Sequence, residues 1–114
     1  MARTPQEIFR HHVAAVGAGD LDAVVADYAE DAVLVTPEGV TRGRDGIRQV
    51  FTSLLGDLPD ATWEVPTQVF EGDVLLIEWT AVAEKARAEG VDTFVFADDA
   101  IRVQTVRLSL ERTA

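Results

Sequence analysis

The apolar positions change period along the chain. Up to Leu58 they recur mostly every three or four residues, and from Ala61 onward they alternate every second residue. Thr4-Pro5-Gln6-Glu7 has the form of a helix start, with a threonine cap, proline in the first turn and a glutamate placed to reach back. Ile8, Phe9, Val13 and Val16 then share one helical face. His12 lies on that face one turn beyond Ile8, and His11 points away from its centre. Gly17 and Gly19 end the helix. Asp20 caps a second helix with the stripe Leu21, Val24, Val25 and Tyr28, closed by Glu30-Asp31. Ala32 to Thr36 reads as a first strand. Gly43-Arg44-Asp45-Gly46 leads into a third helix with the stripe Ile47, Val50, Phe51, Leu54 and Leu58, stopped by Pro59.

The second half predicts strands. Ala61–Val65 and Thr67–Phe70 are two pieces around Pro66, which marks a bend or an edge. Gly72-Asp73 is a hairpin turn into Val74–Glu84, the longest strand. One of its faces carries Val74, Leu76, Glu78, Thr80 and Val82. The other carries Leu75, Ile77, Trp79, Ala81 and Ala83, so the pattern predicts a sheet covered on both sides. Residues 85–90, KARAEG, read as a polar tip. Val91–Phe96 and Ile101–Leu110 are two further strands around an Asp98-Asp99 turn. Helices first and an antiparallel sheet after make an α+β fold. One domain accounts for residues 1–114, with its elements between about Thr4 and Arg112.

Composition narrows the function. The chain of 114 residues has 20 acidic and 10 basic side chains, a net charge of −10, which disfavours nucleic acid and anionic membrane surfaces as partners. Cysteine is absent, so a disulfide, a zinc–thiolate site and a thiol nucleophile are excluded. No apolar run approaches the ~20 residues of a membrane span, and the N-terminal residues lack an apolar signal core. A soluble cytoplasmic protein is expected.

The segment AGDLDAVVADYAEDAVLVTPEGVTRGRDGIRQVF, and the order of elements around it, resembles the nuclear-transport-factor-2-like superfamily, close to its SnoaL-like and ketosteroid-isomerase-like members. The resemblance implies a curved mixed or antiparallel sheet wrapped by three helices into a cone with a hydrophobic pocket. It also implies a homodimer through the outer sheet face, and no metal or organic cofactor. In the isomerase-like pattern the oxyanion tyrosine falls on His12 and the protonated aspartic acid on Asp92 of DTFVF. The general base falls on Thr36, whose hydroxyl cannot collect a proton at neutral pH. The usual steroid-isomerase chemistry is therefore not expected.

Three residues are candidates for proton transfer. Glu78 interrupts an apolar strand, where an unpaired carboxylate is costly to bury. The resemblance places its face on the pocket, where desolvation would make it a base. The alternative is a surface glutamate, or one paired with Arg102 or Arg107. Asp92 alternates with Phe94 and Phe96; it is either a pocket acid or a strand-start residue at the hairpin tip. His12 is either a core histidine with one partner or a pocket donor, and a His12–Asp92 pair would form a compact acid/base unit. Tyr28, Thr36, Phe51, Phe94 and Thr80 are the predicted ligand-binding residues, Tyr28 being most simply core unless it aims into the cone. Trp79, opposite Glu78 in facing, is expected in the dimer interface. Arg42-Gly43-Arg44 has the look of an anion clamp, but the resemblance makes it a structural turn. These features predict binding of a hydrophobic carbonyl compound, with acid/base isomerisation or cyclisation. The alternative is a non-catalytic binding or assembly module of the same fold.

Overall fold

Local chemistry starts the helices where the residue pattern puts them. In the computed structural model, which describes residues 3–113, α1 (Pro5–Ala18) opens on a full capping box. The Glu7 N–H donates to Thr4 Oγ1 at 3.1 Å, and the Thr4 N–H donates to the Glu7 carboxylate at 2.9 Å. Gly19 closes it at φ 68°, a left-handed conformation that glycine adopts without a Cβ clash. α2 (Leu21–Ala26) is capped by the Asp20 side chain.

α2 is shorter than its stripe predicts. Tyr28 opens β1 (Tyr28–Thr36) instead of ending the helix. The sheet takes these residues because Tyr28 pairs in parallel with Ile101, and the Ile101 N–H donates to the Asp27 carbonyl at 2.8 Å. A short hairpin partner, β2 (Gly39–Arg42), was not predicted; α3 (Gly43–Asp57) follows it directly. Arg44 Nε donates to the Tyr28 carbonyl at 2.8 Å, so the Arg42–Arg44 turn ties α3 to β1.

The remaining strands are β3 (Thr62–Glu71), β4 (Val74–Val82), β5 (Ala86–Ala97) and β6 (Ala100–Arg112). The two pieces around Pro66 are one edge strand, with a register shift between Glu64 and Thr67 that accommodates the missing N–H. Most of the expected polar tip is strand. Ala86, Ala88 and Gly90 point inward while Arg87 and Glu89 point out, which is a period-2 pattern with small inner residues. The six strands form a curved, unclosed sheet in the order β2-β1-β6-β5-β4-β3, antiparallel throughout except for β1 beside β6.

The helices cover one face of this sheet. Leu75, Ile77, Trp79 and Ala81 of β4 are buried there, against Ile8 and Phe9 of α1 and Ile47 and Phe51 of α3 in one core. Val74, Leu76 and Val82 on the opposite face of β4 are exposed, so within one chain the sheet is covered on one side only. Among the described residues no helix is long and apolar enough to cross a membrane.

Candidate active site

Between α1, α3 and the concave sheet face lies a cavity of about 130 Å³. Its wall includes Phe9, Phe51, Ile77 and Phe94, and its polar side chains are His12, Thr36, Asp92 and Gln104. Trp63 and Trp79 form an aromatic pair on the same wall, with ring centroids 5.4 Å apart.

Asp92 is the carboxylate of this wall, 6% exposed. On β5 it stands opposite Ile77 of β4 and Val106 of β6, both of which also line the cavity. Trp79 Nε1 donates to Asp92 Oδ1 at 2.9 Å, and Gln104 Nε2 donates to Asp92 Oδ2 at 2.9 Å. Burial pushes the Asp92 carboxyl above its ordinary value; the two hydrogen bonds pull the other way without cancelling that rise. Gln104 is itself oriented. The Tyr28 hydroxyl donates to Gln104 Oε1, which leaves the amide N–H₂ to face Asp92. Burial also holds the Tyr28 phenol well above its ordinary value, so the tyrosine remains a donor.

Two backbone details make this network possible. The register pairs Val95 with Val103 and Phe96 with Ile101, so Arg102 is an extra residue in β6. This bulge inverts the alternation and turns Gln104 inward. Gly90, paired with Trp79 across β4 and β5, leaves space for the indole. A Cβ there would lie 2.5–2.6 Å from its ring atoms, Nε1 among them. Gly90→Ala is therefore expected to displace Trp79 from Asp92 and to destabilise the fold by about 1–3 kcal/mol. Urea melts together with hydrogen exchange of the indole N–H test this; an unchanged midpoint and an unchanged N–H would show that β5 simply shifts aside.

His12 is 4% exposed, and its ring meets Tyr28, Phe51 and Phe94 edge-on with centroids 5.5–5.8 Å apart. Its Nδ1 is sealed from solvent, has no partner at hydrogen-bond distance, and lies 3.5 Å from a carboxylate oxygen of Asp27. His12 lines the cavity. Asp27 is fully buried and also meets His11 Nδ1 at 2.8 Å and Arg3 Nη1 at 3.0 Å. Burial pushes its carboxyl up, but the contacts from His12, His11 and Arg3 outweigh this and hold it below its ordinary value. No cluster of three or more histidine, aspartate or glutamate side chains that could hold a metal occurs among the described residues.

The sequence profile of the SnoaL-like domain matches residues 9–104. The chain belongs to the SnoaL-like family. No curated protein matches this SnoaL-like chain. Among solved structures, an NTF-2-like protein of unknown function from Burkholderia xenovorans superposes with a TM-score of 0.80 at 23% identity, covering 92% of this chain and 82% of that one. IdmH, a candidate polyketide cyclase from Streptomyces antibioticus, gives 0.79 at 19% identity, covering 94% and 93%. A candidate ketosteroid isomerase from Kribbella flavida gives 0.78 at 16% identity, covering 92% and 77%. At these identities the likeness is one of fold.

In this SnoaL-like chain the cavity brings together His12, Thr36, Phe51, Asp92 and Phe94, and leaves out three residues expected in it. Glu78 is on the convex face, exposed, where it accepts a 2.6 Å hydrogen bond from Thr67. Thr80 shares that outer face, because residues two apart on a strand point the same way. The inner face is the one carrying Ile77 and Trp79, so Trp79 belongs to the cavity and not to an outer interface. Tyr28 is buried behind the wall and acts on it through Gln104. Thr36 does line the cavity, with its hydroxyl accepting from the Glu38 N–H at 3.2 Å. The His12–Asp92 pair that the sequence allowed does not form: Asp92 is held by Trp79 and Gln104, and His12 lies beside Asp27.

Proposed function

We propose that the chain binds a small apolar carbonyl compound in this cavity and moves a proton on it, as in an isomerisation or an aldol-type cyclisation. The observation that carries this reading is Asp92, a buried carboxylate fixed through both oxygens on a largely apolar wall. Raised proton affinity makes it a better base than a surface aspartate. It takes a proton from the carbon next to the carbonyl. His12, when its ring carries a second proton, gives one to the carbonyl oxygen, so an enol forms without a free oxyanion in the apolar site. Returning the Asp92 proton to a different carbon, while His12 recovers its own, completes an isomerisation. The candidate cyclase and ketosteroid isomerase among the structural neighbours belong to the same broad chemistry. A cavity of about 130 Å³ is close to the ~150 Å³ that accommodates benzene, so a one-ring or short-chain ligand suits it better than a fused polycycle.

The reading is tested with a panel of small cyclic and short-chain ketones in D₂O, following loss of the α-C–H signal by NMR. Protein-dependent exchange in at least one compound is expected. Binding without exchange, seen as shifts of the Trp63 and Trp79 indole signals, would favour a non-catalytic binding module.

The outer sheet face supports a homodimer. Val69 and Leu76 are 57% and 41% exposed and stand directly opposite each other in the ladder, while Val91, 45% exposed, lies beyond them beside Glu78. Such an apolar patch is suited to burial against a second copy. Sedimentation is expected to show a dimer for the parent chain and a folded monomer for Leu76→Glu; a monomeric parent would remove this assignment.

A further inference from the structure

Asp27 does not line the cavity, yet it is a fully buried carboxylate placed against the sealed nitrogen of the cavity histidine. Its surroundings separate two kinds of partner. Arg3 and His11 are 34% and 48% exposed in their side chains and contact solvent, whereas His12 is shut in. Arg3 is held from two sides, because its backbone N–H also donates to Asp99 at 2.7 Å and its Nε at 3.2 Å. The Arg3 charge therefore offsets that of Asp27 without entering the cavity.

An ionised carboxylate only accepts hydrogen bonds, and a neutral imidazole carries a single N–H. The nitrogen of His12 that faces Asp27 is then the one that keeps the proton, and Nε2 is the one that gains and loses it. We propose that Asp27 is a positioning residue for His12, holding its proton on Nδ1 so that Nε2 is the exchanging nitrogen on the cavity side. The catalytic consequence rests on the acid/base reading above: Asp27 balances the charged ring that gives its proton to the carbonyl oxygen. The 3.5 Å separation is longer than the 2.7–3.2 Å of an ordinary N–H···O bond, and contacts of this kind tighten when a ligand occupies the site. The titratable groups around the His12 ring are Asp27, Asp92 and Tyr28, with Arg3 and His11 acting through Asp27; α3 presents the apolar Phe51.

Long-range ¹H–¹⁵N NMR of the imidazoles tests this on the free protein, without any substrate. The neutral His12 ring of the parent chain is expected to carry its proton on Nδ1. In Asp27→Asn that preference is lost, and the neutral ring is expected to populate both tautomers. His11→Gln should leave the Nδ1 proton in place. Arg3→Gln, which keeps Asp27, should leave it in place as well, and the tautomer of the parent ring decides the assignment even if Asp27→Asn folds poorly. A parent ring protonated on Nε2, or an Asp27→Asn ring that holds its proton on Nδ1 as firmly as the parent does, overturns the assignment. Where a ketone exchanges, its rate should fall in Asp27→Asn and stay near the parent's in His11→Gln. Absent exchange with the Nδ1 form intact would refute only the acid/base reading, and exchange with an Nε2 form only the role of Asp27.

Discussion

Asp92→Asn is expected to slow protein-dependent exchange of a bound ketone by about 10²- to 10⁴-fold, the usual worth of a positioned general base, while ligand binding persists. Asparagine keeps the shape and one oxygen for the Trp79 N–H but has no basic lone pair to take a carbon-bound proton. The same substitution has a stability signature with a definite sign. Burial holds the Asp92 carboxyl above its ordinary value of 3.8 in the folded chain. Its contribution to stability is thus fully present below that value and is lost as the pH rises through the folded one. Asp92→Asn removes this loss, so urea melts should show the variant gaining on the parent as the pH is raised from about 4 towards neutrality. Asp27 behaves oppositely. It is held below 3.8, and its contribution is present above that value and lost as the pH falls through its folded one. A variant that neither slows exchange nor changes this slope would show that Asp92 is an ordinary wall residue.

The parts of the fold that depend on local chemistry were legible in the residues. Thr4 with Glu7, Gly19, Asp20 and the Gly72-Asp73 turn mark element ends through contacts made within a few positions. The misread parts depend on distant pairing. A helical stripe running through Tyr28 puts Asp27 on the polar side, and only the parallel pairing of β1 with β6 turns it into the interior. Simple alternation from Ile101 points Gln104 outward, and only the Arg102 bulge reverses it. Glu78 shows a different limit. Both faces of β4 are apolar, so its pattern does not say which one the helices cover, and the carboxylate marks the uncovered face. His12, Thr36 and Asp92 could be placed from the family resemblance because each was transferred to a single position. Trp79 and Gln104 could not, because their part is to orient Asp92.

Phe94→Ala is expected to cost about 3–5 kcal/mol of stability, a large fraction of the 5–15 kcal/mol that holds a domain of this kind together. Phe94 is 1% exposed, stacks on Phe96 with centroids 6.1 Å apart, and meets Phe9 and His12 edge-on at 5.5 and 5.8 Å. Collapse into the space left behind would require α1 to move toward β5, and α1 is fixed by its caps and by Arg3. The vacated volume therefore joins the existing cavity of about 130 Å³ and enlarges it. The midpoint of urea unfolding should fall with an unchanged slope, since the surface exposed on unfolding is nearly the same. A cost below about 1.5 kcal/mol would instead mean that the wall closes in, as at sites that can relax. The two outcomes differ in function as well. An enlarged cavity loses the ring edge that steadies His12 and should bind small ketones more weakly, whereas a closed one should exclude them.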